Sequence, residues 1–297
     1  MTNRIWSALF LISFALSACG PGNRSQIDLE TWGGYWFQGQ AELNSYDLIQ
    51  YRYGEARVGE AVLIFVTEDF SKKKQVKLDE LKQGSKDGQT VLKMNQTREF
   101  VTGIYPYHMM LSVFTPVREH QRAVKLTLSS QEWCGQSFTQ LNLKGKGYQG
   151  KLFSYFEQEG DDNFSVKGLA EDELWNLIRL GPQQVPLGKV ELIPSLIQQR
   201  FTKEEWEVSE AEISLEDTED ESLRELKVAY TNGKRILKIR FQSIFPYEIM
   251  SWEEISIKTD GSEEITKATR KGSLKLDYWT RTGNEDQVWR DSLNIGK

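Results

Sequence analysis

"LRELKVAYTNGKRILKIRFQSIF", Leu223 to Phe245, decides the fold class. Two runs alternate polar and apolar residues, the period at which strand side chains switch faces. Asn232-Gly233 sits between them, and that pair supplies the left-handed backbone of a tight two-residue hairpin turn. The stretch reads as two antiparallel strands.

Working outward, the same pattern recurs along the chain. "LNSYDLIQYRYG" (Leu43 to Gly54) and "GEAVLIFVTEDF" (Gly59 to Phe70) are aromatic and β-branched runs separated by a glycine-bearing turn. "TVLKMNQTREFV", "AVKLTLSSQEW" and "YQGKLFSYFEQEG" continue in short segments with a period near two. Helix signals are few. "AEDELWNLIRL" (Ala170 to Leu180) places Leu174, Leu177, Ile178 and Trp175 on one side, carries acidic residues in its first turn, and stops at Gly181-Pro182. "IPSLIQQRF" and the C-terminal "NEDQVWRDSLNIG" read as two more short helices. The fold class expected is mainly β: two similar curved antiparallel sheet units with a few short helices, without the strand-helix alternation of a doubly wound sheet.

"GIYPYHMM" (Gly103 to Met110) has a partner in "SIFPYEIM" (Ser243 to Met250), 140 residues on. The match suggests two related β units. His108 in one string is Glu248 in the other, while the proline and aromatic frame persists. Such a frame predicts packed corners, with Pro106 and Pro246 marking the end or bend of a strand.

The N-terminus carries the strongest functional signal. Arg4 precedes an apolar or small run from Ile5 to Ala18, and "LSAC" closes it at Cys19. This is a secretory signal rather than a membrane span, and its end resembles the bacterial lipoprotein signal. The resemblance implies cleavage before Cys19 and lipidation of its thiol and amine, each buried methylene adding roughly 0.8 kcal/mol to the membrane hold. Gly20, where an aspartate would retain the protein inside, implies the outer membrane, with periplasmic or surface facing left open. "GPGNRSQIDLE" reads as a tether. Losing the signal takes 37 basic residues to 36 against 43 acidic ones. That acidic balance, without a basic stripe, argues against nucleic acid as a partner.

After lipidation Cys134 is the remaining cysteine, so no intrachain disulfide is available and the thiol is expected to be buried. A cysteine nucleophile would need His108 or His120 as base, and neither lies beside it in sequence. The two histidines have no metal-ligand spacing; no metal and no cofactor are expected. The acidic runs "EQEGDDN" (Glu157 to Asn163), "SLEDTEDES" (Ser214 to Ser222) and "DGSEE" (Asp260 to Glu264) are expected to be solvated turns. The aromatics in "TWGGYWFQGQAE" and "LDYWTRTGNEDQVW" either close the ends of a curved sheet or line a groove for an apolar or glycan ligand. The residues placed at such a ligand contact are Trp32, Tyr35, Trp36, Tyr107, Tyr247 and Trp279.

"YWFQGQAELNSYDLIQYRYGEARVGEAVLIFVTEDFS", "GIYPYHMMLSVFTPV" and "SSQEWCGQSFTQLN" together resemble a family of Bacteroidota lipoproteins sometimes labelled "septum formation inhibitor Maf". True Maf proteins are α/β nucleotide pyrophosphatases with a Ser-Pro-Arg-Arg motif, which this chain lacks. The resemblance therefore implies no catalytic residues. The strand order is also similar to the curved sheets of lipoprotein-carrier or half-barrel envelope proteins, a likeness of fold alone.

The organisation expected is a signal peptide at 1–18, a tether at 19–30, a first β-rich unit at 31–165, a helical connector at 166–205 and a second β-rich unit at 206–297, the two units able to pack as one domain. The function expected is a noncatalytic envelope lipoprotein, held to the membrane by its N-terminal lipid and binding a lipid, glycan or protein partner. The alternative is a periplasmic or surface hydrolase using Cys134 with a histidine, or a dispersed carboxylate pair.

Overall fold

The computed structural model describes residues 27–80, 85–118 and 122–296; the signal peptide, Cys19 and His120 lie outside them. The first run of strands comprises β1 (Ala41–Arg52), β2 (Glu55–Ser71), β3 (Gly88–Thr102), β4 (Tyr105–Pro116), β5 (Lys125–Glu132), β6 (Gly135–Lys144), β7 (Gly147–Ser154) and β8 (Asp162–Val166). The second comprises β9 (Leu169–Ala170), β10 (Gly188–Ile193), β11 (Ser209–Asp217), β12 (Leu223–Tyr230), β13 (Arg235–Gln242), β14 (Ile249–Ile257) and β15 (Glu263–Leu276). The helices are α1 (Leu29–Trp36), α2 (Leu174–Leu180), α3 (Leu196–Thr202) and α4 (Val288–Ser292). The chain is mainly β, as the period-two pattern requires, and α1 takes up Leu29 and Glu30 at the end of the expected tether.

All fifteen of these strands join one sheet, in the order β8 to β1 and then β15 back to β9. Each run is an antiparallel meander, and the two fuse edge to edge where β1 pairs with β15, from Ala41 opposite Leu276 to Ile49 opposite Lys267. A short parallel contact joins β9 to β10. The outer edges, β8 and β9, are separated in sequence by Lys167 and Gly168 alone. Two intervening residues bridge at most about 11 Å, so the sheet must roll until its edges approach, although the ladder does not close. Gly168 sits at that approach with φ +157°, where a Cβ would lie 2.7 Å from Val208 Cγ1. Arg122 Nη1 also donates to its carbonyl at 2.8 Å.

Of the segment expected to be a helical connector, 166–205, β9 and β10 join the sheet and α2 fills its rolled interior. All seven residues of α2 are buried, against Tyr46, Phe65, Met94 and Trp252 from the strands. Each fully buried leucine or isoleucine there contributes roughly 1.5–3 kcal/mol. Asn176 Nδ2 bonds the Leu92 and Val113 carbonyls at 3.1 and 3.3 Å and Thr115 Oγ1 at 3.0 Å, fastening the helix to β3 and β4. Gly181, at φ +136°, ends the helix with its N–H on the Leu177 and Ile178 carbonyls.

Several local expectations are corrected. Thr231 to Lys234 form a four-residue loop in place of a two-residue turn. Only Gly233 is left-handed there, at φ +71°, because Asn232 Oδ1 accepts from Lys234 N at 3.0 Å in an Asx-type turn. The acidic first turn before α2, for which the sequence sets no expectation of exposure, is buried. Glu171 accepts from Tyr230 Oη and Arg235 Nη2, both at 2.6 Å. Asp172 accepts from Leu196 N at 2.8 Å, and Glu173 from Ala123 N at 2.7 Å. Buried polar groups survive when each has such partners. Glu159, in a run read as a solvated turn, is also withdrawn from water and holds Arg200 on α3 at 3.2 Å and Lys203, just past its end, at 3.0 Å. Asp220 and Asp260 do lie in exposed turns, each accepting from a serine two residues on.

Candidate functional site

The two matching strings occupy opposite ends of the rolled sheet. Pro106 pairs with Val101 beside the β3–β4 turn. Pro246 lies in the β13–β14 turn, where its carbonyl accepts from Arg179 Nε at 3.0 Å. In the first string, alternation divides the labour. Tyr107 and Met109 face the core, Tyr107 stacking on Phe100 at 4.9 Å. His108 and Met110 face outward. The packed corner expected of "IYPYHMM" exists on one face of β4, and the other face carries a groove.

That groove, about 840 Å3, runs over the outer face of β3 to β7. Strand register lays out its floor in two rows. One row takes Glu99, His108, Gln131 and Gln136 from successive strands, with Tyr155 beside it. The next takes Thr97, Met110, Ser129, Phe138 and Phe153. At about 4.8 Å per strand, five strands make each row roughly 19 Å long. Phe153 is 49% exposed and Tyr155 74% exposed, so the aromatic faces are open to a ligand. His108 Nδ1 lies 3.7 Å from Glu99 Oε1, with both side chains more than half exposed, a pairing that water screens. An elongated floor with Met110, Phe138 and Phe153 in one row beside a row of amides, carboxylate and imidazole can bind a chain having one apolar and one hydroxyl-rich face.

The aromatics chosen from sequence do not meet in one wall. Trp32 and Trp36 are buried on α1, with Trp32 Nε1 donating to the Arg179 carbonyl at 3.1 Å. Tyr35 donates to Glu42 Oε2 at 2.5 Å, and its ring lies 5.6 Å from Phe245, itself 5.8 Å from Tyr247. Trp32, Tyr35, Trp36 and Tyr247, with Phe245 between the two tyrosines, close one end of the sheet. Tyr107 is at the other end, its hydroxyl 2.8 Å from that of Tyr53. Trp279 stands half exposed beside Tyr278. End closure, the first of the two expectations, is what Trp32, Tyr35 and Trp36 do.

Cys134 is exposed, which corrects the expected burial. It lies in the tight β5–β6 turn, whose side chains have no sheet to cover them. Its N–H donates to Glu132 Oε2 at 2.5 Å. The Glu132 carboxylate accepts from the thiol and repels the thiolate, raising the thiol above its ordinary range. A nucleophilic cysteine needs the opposite environment.

Phe138, Phe153, Gln131 and Gln136 were missed in the sequence. A signal was present: in β6 the inward residues Ser137 and Thr139 are polar while outward Phe138 is apolar. This local inversion sets Phe138 among the groove-lining residues. No family model, curated protein or solved structure matches the chain.

Proposed function

We propose that this chain is a noncatalytic envelope lipoprotein, anchored to the outer membrane through lipid on Cys19, that binds a glycan chain in the outward groove of β3 to β7. The carrying observation is the pair of parallel rows across five strands, one presenting Met110, Phe138 and Phe153 between the hydroxyls of Thr97 and Ser129, the other polar and ending at Tyr155. A sugar ring has the same two-sided character: its C–H face packs on an aromatic ring, and its hydroxyls exchange hydrogen bonds with amides and carboxylates. Carriage of a lipid inside the sheet is disfavoured because α2 and its packed side chains occupy that space. Catalysis by Cys134 is disfavoured because Glu132, a carboxylate, is the thiol's polar neighbour.

The test is calorimetric titration of the mature protein with a panel of oligosaccharides of defined linkage, followed by product analysis. Saturable binding that is lost in Phe153→Ala and Gln131→Ala supports the reading. No binding across the panel, with capture of an envelope protein through the same residues, replaces the glycan with a protein partner. Shortened oligosaccharides in the mixture would establish the hydrolase instead. Labelling with a radioactive fatty acid, abolished by Cys19→Ser, tests the anchor.

A further inference from the structure

We propose that a second site, a small polar pocket between β1, β13, β14, β15 and α3, binds an oxoanion of phosphate size. The pocket has a volume of about 130 Å3, room for roughly four waters at ~30 Å3 each, or for one phosphate or carboxylate group. Two arginines in its lining carry N–H groups with no protein acceptor. Arg235 is 5% exposed; its Nε and Nη2 are engaged by Glu171. Its Nη1 has no hydrogen-bond partner and lies 4.0 Å from Glu254 Oε2, beyond hydrogen-bond reach. Arg52 Nε is likewise buried and unpartnered.

Arg52 is held in place without being neutralised. Its guanidinium carbon lies 4.2 Å from the Tyr53 ring centre and 4.5 Å from that of Phe201. Nη1 donates to the Phe201 carbonyl at 3.3 Å and Nη2 to Tyr53 Oη at 3.4 Å. Among the described residues no carboxylate pairs with it. The carboxylates around the pocket are already engaged: Glu171 holds Arg235, and Asp172, buried next to it, accepts from Leu196 N. Glu254 and Glu264 also line the pocket, but Glu254 is bound by Arg98 and Glu264 by Lys258. Gln198 and Ser256 also line the pocket and supply an amide and a hydroxyl. A buried orphan donor is costly. An oxoanion in the pocket would accept from both orphan N–H groups while matching arginine's preference for such groups. The site is independent of the glycan groove.

Titration of inorganic phosphate into the full mature protein at constant ionic strength, with chloride as control, tests the assignment. The expected result is saturable 1:1 binding with a rise in melting temperature, weakened at least tenfold in Arg52→Gln and unchanged in Phe153→Ala. Arg52→Lys keeps the charge and the fold while losing the Nε donor, and should bind more weakly than the native protein. Acetate competing as well as phosphate assigns the site to carboxylates; phosphate alone binding assigns it to phosphoryl groups. Absence of saturable binding, equal binding of chloride, or undiminished binding by Arg52→Gln overturns the proposal.

Discussion

Arg179 grips Glu42 with both terminal nitrogens, Nη1 to Oε1 at 2.5 Å and Nη2 to Oε2 at 2.6 Å, in a fully buried fork between α2 and β1. Asn44 and Tyr35 complete the carboxylate's shell, and Trp36 and Phe65 lie 5.0 and 4.7 Å from the guanidinium. Removing one partner strands the other charge in the core, a loss of about 3–5 kcal/mol. Arg179→Met and Glu42→Gln should each lower unfolding free energy by about that amount in urea titrations. The double variant should lose clearly less than the sum, because no charge is then left alone.

Asp172 and Glu42 should oppose one another in pH dependence. Burial, then the charge of Glu171, pushes Asp172 up to about 7. Its folded pKa exceeds its unfolded value, so its contribution is fully present below about pH 4 and is lost as pH rises toward 7. Burial acts in the same upward direction on Glu42, but the Arg179 charge and hydrogen bonds outweigh it and hold Glu42 below its ordinary value. That contribution is present above the unfolded pKa and lost on acidification. Asp172→Asn, which keeps an acceptor for Leu196 N, should remove a downward slope of at most about 1.4 kcal/mol per pH unit between pH 4 and 7. Stability measured across that range checks the sign.

The Cys134 thiol should react with a maleimide in the native protein without denaturant, since it is exposed. Glu132 keeps its thiolate fraction low. Glu132→Gln should therefore accelerate alkylation at neutral pH severalfold, and the difference should vanish in urea, where the two residues part. Stopped-time mass spectrometry reads both rates.

Phe138→Ala and Phe153→Ala should leave melting temperature within a degree or two of the native value. Both side chains face outward and are more than a third exposed, so truncation opens no cavity. Met109→Ala, one residue from outward Met110, should cost about 2–5 kcal/mol because Met109 is buried. Thermal melts of the three variants check the assignment of faces on which the groove depends.

Most strands were legible because their signal is local: period-two alternation, turn glycines and the Gly181-Pro182 stop need no distant partner. The three short helices read from "AEDELWNLIRL", "IPSLIQQRF" and "NEDQVWRDSLNIG" are found as α2, α3 and α4 for the same reason. Burial of Glu171, Asp172 and Glu173 was not legible. Three consecutive acids normally signal solvent, and their partners Tyr230, Arg235, Leu196 and Ala123 come from remote segments. The groove was half legible, as inverted alternation in β6, but its length depends on the registers of five strands.

By itself, then, the sequence determined the strand-rich class and the positions of α2, α3 and α4, while α1 lay unread at the end of the tether. Backbone stereochemistry and side-chain alternation settle those within a few residues. Tertiary structure decided which strands became neighbours, that α2 fills the rolled sheet, that Cys134 is exposed, and that Glu42 meets Arg179. Each of these depends on pairing or packing between segments far apart in the chain, whose free energies arise only when the whole sheet is assembled.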